Sequence, residues 1–223
     1  MTSMVKNIKK NLYQLFNCVF IASMLAGCST VSHHRTRATS NTTIVRPTHL
    51  KPSDRLKIAT IAGQCIGKSK LAVGKTSFRA DCSGAVRAIF AKAKIGLGGI
   101  IKNDKENDVK AIYRYAQKYG QIVHSKPEVG DLVFFHNTYD RSRNGRMNDA
   151  LTHVGIVEKV DGSTVHFIHH LGQSIIRSRM DLSHPKESYH PATKKRINHI
   201  LRKAQGPHKA YTAAELFAGF GRL

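Results

Sequence analysis

Apolar positions recur at helical spacing in three stretches of the first half of the chain. From Pro52 onward, Leu56, Ile58, Ala59, Ile61, Ala62 and Cys65 fall on one face, and Gly67 ends the run. A second helix is predicted to begin at Cys82, with Val86, Ile89, Phe90 and Ala93 along one side. A third is predicted from about Asp108 to Tyr119, stopped by Gly120. Residues 95–101, with Gly96, Gly98 and Gly99 among them, read as a loop.

Beyond Gly120 the period changes. Leu132-Val133-Phe134-Phe135 is a short strand behind Gly130-Asp131. Residues 153–160 and 164–170 are β-rich runs joined by Asp161-Gly162, a hairpin signal, and 175–180 is a further strand. The tail is read as a basic helix near 196–203 and a last helix starting at Thr212. Glu215, three residues on, completes a capping-box pattern there. Helices first and antiparallel strands afterwards predict an α+β domain with helices packed on one sheet.

The N-terminus has a different character. Lys6, Lys9 and Lys10 precede a short apolar stretch from Leu15 to Leu25, followed by Leu25-Ala26-Gly27-Cys28. About ten apolar residues are too few to span a bilayer, which favours a removed export signal over a membrane span. The Leu-Ala-Gly-Cys run resembles the lipobox of bacterial lipoproteins, and that resemblance implies lipidation at Cys28 and a membrane anchor through the lipid. With Ser29 in the next position, it implies an outer-membrane address facing the periplasm where the host has one. Residues 28–51 are rich in Ser, Thr, Arg and His and read as a flexible tether. The expected organisation is a signal peptide over 1–27, the tether over 28–51, and one hydrolase domain over 52–223 with a helical C-terminal extension.

Charge and cysteine content narrow the partners. The formal net charge is +22, and loss of residues 1–27 removes three lysines and no acids, leaving +19. A field of that sign attracts polyanions, and an exported chain meets anionic envelope polymers rather than nucleic acid. Cys18 leaves with the signal and Cys28 is assigned to lipid, so the domain retains Cys65 and Cys82. Pairing of these two in an oxidising compartment is the plain alternative to a chemical role.

Three segments converge on chemistry. Arg79-Ala80-Asp81-Cys82-Ser83-Gly84 stands directly before a helical pattern. A cysteine in a first helical turn feels the positive end of the helix dipole, which favours the thiolate, and free N–H groups of that turn can hold an oxyanion. Asp81 occupies the N-cap position, and Ser83-Gly84 keeps the approach open. Thr152-His153-Val154-Gly155-Ile156-Val157 places a histidine at the start of a buried strand, where it can take the thiol proton, and Gly155 leaves room for close packing. Phe167-Ile168-His169-His170 lies on the next strand, and one of its histidines can fix the tautomer of His153. Alternation sends His169 and His170 to opposite faces, so only one of them points at His153.

These motifs resemble the NlpC family of papain-fold cell-wall peptidases. The family signature appears in order as Asp81–Gly84, Gly130–Phe135, His153–Ile156 and Phe167–His169, and the resemblance covers roughly 52–182. It implies a papain-like α+β fold with Cys82 as nucleophile, His153 as general base and His169 as the residue that orients the base. Asp81 and Ser83 are taken as substrate-binding, and the substrate class is peptidoglycan stem peptides. No cofactor is implied. An amidase or acyltransferase on the same fold and a non-catalytic wall-binding lipoprotein are the alternatives. Many relatives carry Tyr-x-Trp-Gly-Gly before the nucleophile. Leu71-Ala72-Val73-Gly74-Lys75-Thr76 stands here instead and the chain has no tryptophan, so specificity does not carry over.

Asp140-Arg141-Ser142-Arg143-Asn144-Gly145 follows the opening of a calcium loop, with Asn148 at its ninth place. Leu151 replaces the glutamate at the twelfth, and three arginines crowd the segment. It is read as a polar surface loop that can shape the cleft beside His153. His124, His136 and His166 are read as solvated or structural, and no histidine or cysteine pair has zinc spacing.

Overall fold

The computed structural model of the protein describes residues 49–97 and 107–223. The predicted export signal, Cys28 and the tether before residue 49 lie outside the described residues, as do Gly98, Gly99 and Ile101 of the predicted loop. In chain order the elements are α1 (Pro52–Gln64), β1 (Ala72–Val73), β2 (Thr76–Ser77), α2 (Cys82–Lys92), α3 (Asp108–Tyr119), β3 (Gln121–Val123), β4 (Leu132–Phe135), β5 (His153–Asp161), β6 (Thr164–Leu171), β7 (Ser174–Asp181), β8 (Ile200–Arg202), β9 (Tyr211–Thr212) and β10 (Phe217–Arg222). Among the described residues no helix is long and apolar enough to cross a membrane.

Six strands form an antiparallel sheet in the order β3-β10-β4-β5-β6-β7. The helices cover one face. Ile58 and Ala62 of α1, Val86, Ile89 and Phe90 of α2 and Ile112 of α3 pack there on Phe134, Val154, Ile156, Ile168 and Ile175. The other face is not open to water. Val133, Phe135, Val157, Phe167 and Met180 lie beneath Leu201, Ala213 and Leu216 of the tail. Burial on both faces explains why β4 reads as four consecutive apolar residues rather than an alternation.

The α+β architecture follows the sequence expectation, and two details correct it. Leu56 is 62 % exposed, because the buried face of α1 runs through Arg55, Ile58, Ala59 and Ala62. Arg55 donates to the fully buried Asp131, which also accepts from Arg222 and from the backbone N–H of Glu128. A polar residue therefore leads that face, turned inward by a buried carboxylate. Gly130 precedes this carboxylate at φ +84°, and a Cβ there would lie 2.7 Å from the Arg55 carbonyl oxygen. Within the signature, Gly130-Asp131 thus ties α1 to the sheet.

The second correction is the tail, which is extended rather than helical. Around 196–203 the chain forms β8, pinned by the buried Asn198, whose side chain donates to the His184 and Glu187 carbonyls and accepts from Asp181 N–H. At Thr212 the capping-box bonds do form: Glu215 N–H donates to Thr212 Oγ1 at 3.1 Å, and Thr212 N–H donates to Glu215 Oε2 at 2.9 Å. Only a single turn follows before the chain enters β10, between β3 and β4. Gly221 fits that slot because a Cβ would lie 2.8 Å from the Phe134 ring and 2.9 Å from Ala116 Cβ. Glycine disfavours a helix and permits this approach.

Candidate active site

Cys82 opens α2, and Asp81 caps the helix. Asp81 Oδ1 accepts from Gly84 N–H at 2.8 Å and from Ser83 Oγ at 2.7 Å, while Oδ2 pairs with Arg79 at 2.8 Å. Ala85 N–H donates to the Asp81 carbonyl. The cap therefore takes up the third and fourth N–H groups of the helix and leaves those of Cys82 and Ser83 beside the sulfur. Gly84 is required sterically, since a Cβ there would lie 2.1 Å from the Arg79 carbonyl oxygen. Ser83 is buried, with its hydroxyl committed to the cap.

Burial pushes the Cys82 thiol up to about 11. The Val154 N–H opposes this, the Asp81 carboxylate adds to it, and the N–H groups of Ser83 and Cys82 favour the thiolate. The sequence expectation of a thiolate stabilised by the helix start is thereby corrected. Desolvation of the half-buried sulfur outweighs the donors that surround it.

His153 begins β5, and its Nε2 lies 2.7 Å from Nδ1 of His169 on β6. His169 Nε2 lies in turn 2.9 Å from the hydroxyl of Ser178 on β7. All three side chains are buried. The rings of Phe135 and Phe167 pack against this chain. Gly155 sits between the two histidines, where a Cβ would lie 2.9 Å from the Ile168 carbonyl oxygen and 3.2 Å from His169 Cβ. Burial lowers His153 to about 4, with His170 acting in the same direction and Asp81 against it. Burial also holds His169 well below the usual histidine range. The resting groups are thus a neutral thiol and a neutral imidazole.

Cys82, Ser83, Asp81 and His153 line one open cavity of about 570 Å³. His170 also lines it, from the opposite face of β6 to His169, with Nε2 donating to the Ser69 carbonyl at 2.9 Å. The loop before β5 walls the cavity with Tyr139 and Arg141, as expected of a loop that shapes the cleft, while sequence reasoning did not name Tyr139, nor Asn107 and Asp108 at the start of α3. The only signal for Tyr139 was the loop's position ahead of His153. Thr152, next to His153 in sequence, completes that wall and accepts from Thr138 N–H at 2.9 Å.

Cys65 and Cys82 are both free, which removes the disulfide alternative. In the calcium-like loop, Asp140 accepts from Gly145 N–H at 2.7 Å and Asn144 N–H at 3.2 Å, and Asp149 accepts from the N–H groups of Arg141 and Ser142. The loop is folded around its own carboxylates. His136 is structural, its Nδ1 accepting from Leu151 N–H. Among the described residues no group of three or more His, Cys, Asp or Glu is placed to hold a metal ion.

The model of the NlpC/P60 family matches residues 70–194. The chain belongs to the NlpC/P60 family. NlpC/P60 proteins are cell-wall hydrolases, cysteine peptidases and amidases among them. The NlpC/P60 match starts later than the resemblance read from the motifs and extends past β7. A solved structure of a protein described as similar to lipoprotein, NLP/P60 family, from Staphylococcus aureus subsp. aureus Mu50 shares 25 % identity. It covers 62 % of this chain and 39 % of its own, at a TM-score of 0.37. Ly7917 shares 18 % identity over 57 % of this chain and 56 % of its own, also at 0.37. A second structure, Ly7917 with the hydrolyzing product of MDP, shares 19 % over 59 % and 57 % at the same score. This chain spans less than two thirds of the length of each of them. No curated protein matches the chain.

Proposed function

We propose that this NlpC/P60 protein is a lipid-anchored cysteine endopeptidase that hydrolyses peptidoglycan stem peptides. The observation that carries the reading is that Cys82 and His153 line one cavity while His169 engages Nε2 of His153. Cys82 is the nucleophile and His153 the base. Because both rest uncharged, the thiol proton passes to His153 as sulfur attacks the scissile carbonyl, rather than beforehand. The N–H groups of Cys82 and Ser83, left free by the Asp81 cap, are aimed at the oxyanion that develops. His153 then gives its proton to the leaving amine, and water releases the acyl group by the reverse sequence. His169 keeps His153 in the tautomer and orientation this requires.

Substrate contact from Asp81 runs through Oδ2 and its partner Arg79, since Oδ1 and the Ser83 hydroxyl serve the cap. Lipid on Cys28 holds the domain at the membrane, facing the periplasm where an outer membrane is present, and the basic surface holds it near anionic envelope polymers.

Digestion of purified peptidoglycan with wild type and Cys82→Ala, followed by mass spectrometry of the muropeptides, tests the proposal. Stem peptides cut by wild type alone are the expected result. Release of the peptide from the sugar, acyl transfer, or equal products from Cys82→Ala would overturn it. Labelling of cells with a palmitate analogue, retained by wild type and lost in Cys28→Ala, tests the anchor.

A further inference from the structure

The hydrogen-bond chain that starts at His153 does not end at His169. It continues to Ser178, a buried serine on β7 that shares a sheet face with Phe167 and Met180. The three polar groups form a line, His153 Nε2 to His169 Nδ1 at 2.7 Å and His169 Nε2 to Ser178 Oγ at 2.9 Å. Each neutral imidazole has one N–H and one lone pair, so the line has two possible directions of donation.

Only one direction is compatible with catalysis. With Nε2 of His153 engaged by His169, Nδ1 is the nitrogen left for the thiol. When the thiol proton reaches Nδ1, His153 becomes an imidazolium and its Nε2 must be a donor. His169 Nδ1 must then accept, His169 must carry its proton on Nε2, and that N–H must find an acceptor inside the protein. The Ser178 oxygen, at 2.9 Å, stands in that place. Donation in the opposite sense, from Ser178 inward, places a proton on His153 Nδ1 and leaves no lone pair for the thiol.

We propose that Ser178 is a positioning residue that sets the direction of the His153–His169 hydrogen bond by accepting from His169 Nε2. The proposal rests on the hydrolase reading for its catalytic consequence, while the tautomer it assigns to His169 is a property of the folded protein alone. Removing the hydroxyl leaves a buried Nε2–H without a partner. The cheaper arrangement is then the other tautomer, which switches off the base.

The test uses full-length protein labelled with ¹⁵N-histidine, as wild type, Ser178→Ala and Ser178→Thr. Imidazole ¹⁵N NMR is recorded together with kcat, KM and the iodoacetamide alkylation rate of Cys82. The expected wild-type tautomer is Nε2–H on His169, with Ser178→Ala moving it towards Nδ1–H. In the same variant kcat falls roughly tenfold to a hundredfold, with KM unchanged. Ser178→Thr, which keeps a hydroxyl, restores the tautomer and most of kcat. A Ser178→Ala protein that retains the Nε2–H tautomer and wild-type kcat overturns the proposal. If wild type cuts no cell-wall peptide, the hydrolase reading fails, and the tautomer comparison with the Cys82 alkylation rates still decides Ser178.

Discussion

His153 and His169 meet at 2.7 Å although they sit on neighbouring strands 16 positions apart in sequence, and the space that lets them meet is made by Gly155. The glycine lies on the same face as both rings, level with His169. A side chain there would press on His169 Cβ and on the Ile168 carbonyl. The alignment of His153 with His169 is therefore a packing consequence as much as a hydrogen-bonding one.

Gly155→Ala is expected to cost about 1–3 kcal/mol through overpacking and to displace His169 from His153. Denaturant unfolding measures the first effect and kcat on peptidoglycan the second. Wild-type kcat in the alanine variant would show that the two rings tolerate a changed separation.

The neutral resting pair has a kinetic signature. With the Cys82 thiol raised to about 11, its alkylation by iodoacetamide should accelerate with pH through neutrality and level off only near that value. Mass spectrometry of the peptide containing Cys82 separates it from Cys65, which is buried and whose thiol is also raised by burial. A plateau already present at neutral pH would mean a preformed thiolate–imidazolium pair.

Acid should destabilise the fold in a defined window. The folded value of His153 lies near 4 against an ordinary 6.5, so below about 6.5 the unfolded chain binds a proton that the folded protein refuses. The stability linked to this group is complete above pH 6.5 and is lost as pH falls towards 4. His169, lowered in the same direction by burial, extends the effect further into acid. Thermal unfolding should show a falling Tm across that range, and a Tm flat from pH 7 to 4 would contradict burial of the pair in neutral form.

Asp131 should matter for folding and not for chemistry. Its carboxylate is fully buried and shared by Arg55 and Arg222, which join α1 and β10 to the start of β4. Asp131→Ala leaves the buried guanidinium of Arg55 with the exposed Glu128 and a long contact, 3.5 Å, to the Leu223 oxygen, at an expected cost of about 3–5 kcal/mol. Chemical denaturation checks the stability. The kcat of the folded fraction should stay at the wild-type level, and a selective loss of kcat would place Asp131 in the reaction instead.

Much of what rests on neighbours in sequence is legible in the sequence. Helical periodicity located α1, α2 and α3, alternation and Asp161-Gly162 located β5 and β6, and Asp81-Cys82 announced a capped helix with sulfur in its first turn. The choice between His169 and His170 needed the sheet, because strand alternation separates two adjacent residues without saying which face meets His153. Tyr139 and Arg141 joined the cavity wall through the path of a loop, which carries no periodicity to read.

By itself the sequence determined where α1, α2, α3 and β4 to β7 begin, how the residues of those strands divide between two faces, and which cysteine stands at a helix start. Local hydrogen bonding and side-chain spacing decide those matters within a few residues. The tertiary structure alone decided that the tail becomes β8, β9 and β10 rather than helices, that Arg55 turns inward in place of Leu56, and that the Cys82 thiol is raised rather than lowered. Each of these depends on what lies across a distance in the chain: an open slot between β3 and β4, a buried carboxylate, the removal of water from sulfur. Burial is a property of the assembled fold, and it overrides local preference wherever the two disagree.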